Sequence, residues 1–182
     1  SYLEKYHGDC NKRLAVIRAY RKGLYEYQVN GQGDAQALER LFQQAESVYE
    51  NDTVVLRDEE ERTAIEHLDW TTIKEKRREN FNYLLSLIAE IVEIVPIFGA
   101  LQPDNLPMGL PVYLRGVSRD AVNEELSQQG IGLTIHWEEI VTYEGMRNNH
   151  LAIDIAKHML TLPVDQRLGQ KHCDYLAVNL RN

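Results

Sequence analysis

Residues 68–88, LDWTTIKEKRRENFNYLLSLI, constrain the fold more than any other stretch of the chain. Ile73, Phe81, Leu84, Leu85 and Ile88 recur at helical spacings, so the segment predicts a helix with one apolar stripe. Thr72 and Glu75 have capping-box spacing and predict its start. Beside the stripe, Lys74, Lys76, Arg77 and Arg78 interleave with Glu75 and Glu79. No aromatic platform or longer basic run accompanies them. The cluster therefore reads as a solvated helix face rather than a nucleic-acid site.

Short strands and helices alternate after this helix. Residues 93–98, 110–115, 131–137 and 159–163 read as strands, and 118–129, 148–158 and 170–180 as helices. QPDNLPMG, residues 102–109, is turn chemistry. Ser118 is placed to cap one helix, and Gly130 stands where a C′ glycine ends it. The pattern predicts an α+β fold: a small, mainly antiparallel sheet with helices packed on one face.

Upstream of Asp69 the periodicity is helical throughout. Leu3, Tyr6, Cys10, Leu14, Ile17, Tyr20 and Leu24 follow three- and four-residue steps. Gly31 and Gly33 break the pattern, Asp34 caps a second helix to about residue 49, and 58–68 is a shorter acidic helix. The G-x-G at 31–33 lacks a preceding strand and a third glycine, so it reads as a turn rather than a nucleotide loop. The expected organisation is a helical N-terminal region, 1–68, followed by an α+β domain, 69–182.

Charge and apolar runs narrow the function classes. Twenty Lys and Arg against 28 Asp and Glu leave a net charge of −8, which argues against nucleic acid as a partner. No apolar run reaches the ~20 residues of a membrane span; the longest, residues 84–101, is broken by Glu90, Glu93 and Pro96. The N-terminus is charged and lacks a signal-peptide pattern. Two cysteines, Cys10 and Cys173, make no disulfide framework, and a cytoplasmic location is expected. His7 with Cys10 and His172 with Cys173 lack the paired ligand spacing of zinc sites, so no metal is expected.

Four motifs in order give a family resemblance. Arg77, Arg78, Asn80 and Phe81 match R-R-x-N-[YF]; Arg115, Arg119, Gly130 and Ile131 match a basic turn, helix and G-I step. His136 and Trp137 match a strand ending H-[WY], and residues 162–167, LPVDQR, match a leucine-proline step. In this order the segment from Asp69 onward resembles the C-terminal small domain of fold-type I pyridoxal-phosphate aminotransferases, nearest the DegT/DnrJ/EryC1/StrS group.

The resemblance implies a domain that closes over substrate and orients a small amino donor and keto acceptor. Transamination needs a base and an electron sink besides orienting groups. In the family these are a lysine and pyridoxal phosphate, held in a large α/β domain for which nothing here has the pattern. The chain is thus expected to be part of a longer enzyme, with pyridoxal phosphate in the parent and none bound to this part. It would hold no catalytic residue and be inactive alone.

By resemblance, His136 and Trp137 face substrate; they also fit a satisfied polar histidine and a packed indole. Arg115 could grip a carboxylate bidentately or pair with Asp120 or Glu124. The parent is expected to be a homodimer, and this chain to self-associate. A different class also fits: a non-enzymatic helical interaction module, with Tyr2, Tyr6, Tyr20, Tyr25 and Tyr27 on its working surface.

Overall fold

The computed structural model describes residues 10–50 and 59–181. They fall into two compact units, Ser1–Leu68 and Asp69–Asn182. The first unit is helical: α1 spans Cys10–Asn30, α2 Ala35–Glu50 and α3 Glu59–Glu66. Gly31 and Gly33 take positive φ between α1 and α2, a conformation glycine adopts without a Cβ penalty. The Asp34 carboxylate then accepts from the backbone N–H groups of Gln36 and Ala37, capping α2 as its type and place predict. Tyr20 and Phe42 join the two helices with ring centroids 5.5 Å apart. Leu3 and Tyr6, the first steps of the predicted stripe, lie outside the described residues.

The second unit is α+β. Its elements are α4 (Trp70–Ile88), β1 (Ile94–Pro96), β2 (Gly109–Leu114), α5 (Arg119–Gln128), α6 (His150–His158), β3 (Met159–Pro163) and α7 (Gln170–Asn179). The strands form one antiparallel sheet in the order β1-β2-β3. Ile94 faces Leu114 in one pair, and Gly109 faces Pro163 in the other. Alternation along each strand divides the sheet. Leu110, Val112, Leu114, Leu160 and Leu162 are buried on one face, with Phe81, Leu84 and Ile88 of α4 and Cys173 and Leu176 of α7. Pro111, Tyr113, Met159 and Thr161 fall on the other face and are half-buried.

Four local expectations are corrected. The N-cap of α4 is Asp69, not Thr72: its Oδ1 accepts from the Thr72 N–H at 3.0 Å and its Oδ2 from the Thr72 hydroxyl at 2.6 Å. Ile73 is half-buried and outside the core. Residues 131–137 are not a strand. Only Thr134 pairs, with Thr161, in a single bridge, because the segment leaves a positive-φ turn at Gly130 and ends in left-handed backbone at Trp137.

The fourth correction concerns the basic cluster. Lys76 pairs with Glu79 at the surface, but Arg77 and Arg78 are not solvated charges. Arg77 donates to Gln166 Oε1 at 2.7 Å and the Pro107 carbonyl at 3.3 Å. Arg78 donates to the carbonyls of Gln102 and Asn105 at 2.9 and 2.7 Å. Both therefore hold the 102–109 loop against α4.

Candidate functional site

A cleft of about 550 Å³ opens beside the sheet, lined by its half-buried strand face and reaching Phe81 of α4. Pro111, Met159 and Thr161 line it from the strands, Phe98 and Met108 from the loops around β1 and β2, and His136 and Trp137 from the segment after α5. Its wall at 102–109 is rigid for identifiable reasons. Pro103 and Pro107 restrict the backbone, and the two α4 arginines bond three of its carbonyls. Phe98, Met108 and Trp137 stay largely open to solvent, Met108 at 82% and Trp137 at 66% of full exposure.

Trp137 has φ 58° and ψ 42°, and among the described residues no other non-glycine has positive φ. Left-handed backbone costs an L-residue roughly 1–2 kcal/mol and persists where surrounding contacts impose it. Its ring sits 5.6 Å from that of His136. Both expected residues therefore meet at one cleft mouth.

Arg115 does not line this cleft. Its backbone N–H donates to Glu93 at 2.7 Å and its side chain is exposed. Of the two partners expected for it, Asp120 and Glu124, the first belongs instead to Arg119, 2.7 Å away. Arg119 is only 5% exposed; its guanidinium also donates to the Ala156 carbonyl and lies 3.4 Å from Glu138. Sequence reading placed Arg119 in a motif but missed its burial. The acidic neighbour Asp120 and the Ser118 cap were the available signals.

The cleft's own residues do not suit pyridoxal phosphate. Its lining contains no lysine to anchor an aldehyde, no carboxylate to face a pyridine nitrogen and no cation for a phosphate. The second candidate metal pair is likewise structural. His172 Nδ1 accepts from the Gly169 N–H at 3.0 Å, capping α7, and Cys173 is buried, which pushes its thiol pKa up. His7 and the Cys10 side chain lie outside the described residues.

No protein-family model matches the sequence, and no curated protein matches it. Solved structures do. Spr1654 of Streptococcus pneumoniae, assigned as a sugar aminotransferase, matches in its apo form with a TM-score of 0.58 at 17% identity, covering 82% of this chain and 44% of its own. DesV of S. venezuelae matches at 0.53 and 20% identity, over 66% of this chain and 33% of that one. PseC of Helicobacter pylori, an aminotransferase involved in the biosynthesis of pseudoaminic acid, matches at 0.52 and 16% identity, over 60% and 32%. The chain thus shares its fold with part of the aminotransferases it matches, and spans about a third to under a half of their length.

Proposed function

We propose that this chain is the C-terminal domain of a pyridoxal-phosphate-dependent aminotransferase of the DegT/DnrJ/EryC1/StrS type, acting on a small amino donor and keto acceptor, a sugar nucleotide among the candidates. The shared fold supports it. The observation that carries it is the cleft mouth, where His136 and a strained, exposed Trp137 meet beside an apolar pocket. Exposed aromatic surface over a cleft with few polar groups suits a substrate-orienting wall. In this reading His136 supplies a hydrogen-bonding edge, Trp137 a flat apolar face, and Arg115 a carboxylate contact outside the cleft. The cofactor belongs to the part of the parent that has no counterpart here, since the cleft lacks the groups to hold it.

Two measurements test this. The complete gene product should carry the absorbance of bound pyridoxal phosphate, and an amino donor should change that spectrum. A complete product that binds no cofactor refutes the reading. This chain alone, incubated with pyridoxal phosphate and reduced with borohydride, should show only scattered substoichiometric labelling. Stoichiometric labelling of one lysine would place cofactor chemistry here instead.

The parent would be a cytoplasmic homodimer. No helix among the described residues is long and apolar enough to cross a membrane. A second reading, an interaction module, draws on Tyr25 and Tyr27, which are exposed on α1. The cofactor spectrum of the complete gene product separates that reading from the aminotransferase; light scattering across a concentration series tests the expected self-association, which a strictly monomeric mass refutes.

A further inference from the structure

We propose that Arg119 and Glu138 are positioning residues that fix Trp137 at the cleft mouth. The inference rests on the reading of that cleft as substrate-facing, although its test needs no substrate.

The segment carrying His136 and Trp137 is fastened at both ends. On one side, Thr134 exchanges both backbone hydrogen bonds with Thr161 of β3, at 3.2 and 2.9 Å. On the other, the Glu138 carboxylate lies 3.4 Å from the Arg119 guanidinium, and the Ile140 N–H donates to the Trp137 carbonyl at 3.0 Å, closing a 3-10 turn. Three residues, Ile135 to Trp137, bridge the two anchors, and the last of them takes left-handed backbone.

Arg119 is the fixed point. It is almost wholly buried, and its guanidinium reaches three places at once: Asp120 beside it on α5, the Ala156 carbonyl on α6, and Glu138. A buried cation needs partners for its donors, and Asp120 and Ala156 already supply them within the packed unit. Glu138 is different. It is 69% exposed, and ion pairs with one solvated partner add little to global stability. What this pair can do is bias the direction of the chain leaving Trp137. A small energy suffices to tilt a local equilibrium between held and released indole. The pair therefore acts on Trp137 orientation far more than on folding.

The test uses the whole chain with Trp70→Phe, which leaves Trp137 as the single tryptophan, and reads time-resolved fluorescence anisotropy beside the unfolding midpoint. Glu138→Ala should raise the ratio of mobile to held indole roughly fivefold, the shift that about 1 kcal/mol produces, with the midpoint unchanged. Glu138→Gln keeps an acceptor for the guanidinium and should return most of the order. Glu138→Lys sets like charges together and should exceed the alanine effect. Unchanged anisotropy in Glu138→Ala overturns the proposal. So does a change that appears only with a lowered midpoint, or a lysine variant no looser than the alanine one. The indole's mobility is read without cofactor or substrate. A cofactor-free complete gene product would thus refute the aminotransferase reading while leaving this result intact.

Discussion

The side-chain amide of Asn80 donates to the backbone carbonyl of Asp165 across 2.9 Å, and to that of Leu168 across 3.2 Å. Asn80 lies on α4 and is 4% exposed, while Asp165 opens the turn that carries β3 into α7. Two motifs that stand 85 residues apart in sequence are thus mutual partners. Asn80→Ala should cost roughly 1–3 kcal/mol, because the two carbonyls lose their donor in a place water does not reach easily. Asn80→Asp should cost at least as much, since it sets an acceptor against two acceptors. A urea midpoint unmoved by either change would show that the turn is held by other groups.

The carboxylate of the same Asp165 gives a pH prediction. Burial pushes its pKa up, but the Arg167 hydrogen bonds, from Nε at 2.7 Å and the backbone N–H at 2.9 Å, and the charges of Arg167 and Arg77 outweigh that and hold it below the ordinary value. The folded group binds its proton less readily than the unfolded one. Its contribution is therefore complete above the unfolded value of about 4 and is lost as pH falls through the folded value. Stability measured from pH 6 downward should decline less steeply in Asp165→Asn than in the parent chain. Equal acid slopes would mean that Asp165 is not linked to folding.

The helices were legible because their signals are local. Asp34 and Ser118 cap α2 and α5 where their type and place predict, and Gly130 takes positive φ just beyond α5. Arg77 was legible too, though its meaning was not. It stands four residues from Ile73 and four from Phe81, on the apolar stripe, with no acidic residue three or four away to pair with. That position already argued against a solvated role. The cleft could not be read in the same way. Its 102–109 wall depends on donors from α4 distant in sequence, and the left-handed Trp137 interrupts what alternation alone takes for a strand. Periodicity reports which face a residue occupies, not where the chain turns under tertiary constraint.

Core burial separates two residues of one predicted stripe. Phe81 is 1% exposed among Leu84, Leu110 and Leu162, whereas Ile73 is half-buried and outside that cluster. Phe81→Ala should cost on the order of 3–5 kcal/mol through lost transfer energy and the cavity left behind. Ile73→Ala should cost less than about 1 kcal/mol, as partly exposed positions usually do. Chemical unfolding of both variants checks this, and comparable losses would mean that the core extends a turn further toward the start of α4.

Gly109 lies where the sheet meets the cleft. It pairs with Pro163 at the start of β2 and lines the pocket beside Met108. A Cβ there would overlap the Thr161 methyl and stand 2.9 Å from the Leu162 carbonyl oxygen. A side chain can turn aside, but a paired strand's backbone cannot do so without loosening the ladder. Gly109→Ala should therefore cost about 1–3 kcal/mol by overpacking. At Gly132 an added Cβ meets nothing within 4 Å, so Gly132→Ala should stay within about 0.5 kcal/mol of the parent. Thr161→Ser, added to Gly109→Ala, removes the methyl but leaves the carbonyl, and should recover only part of the loss. Full recovery would assign the whole clash to the threonine, and no loss in Gly109→Ala alone would show that β2 and β3 pair less closely at this end.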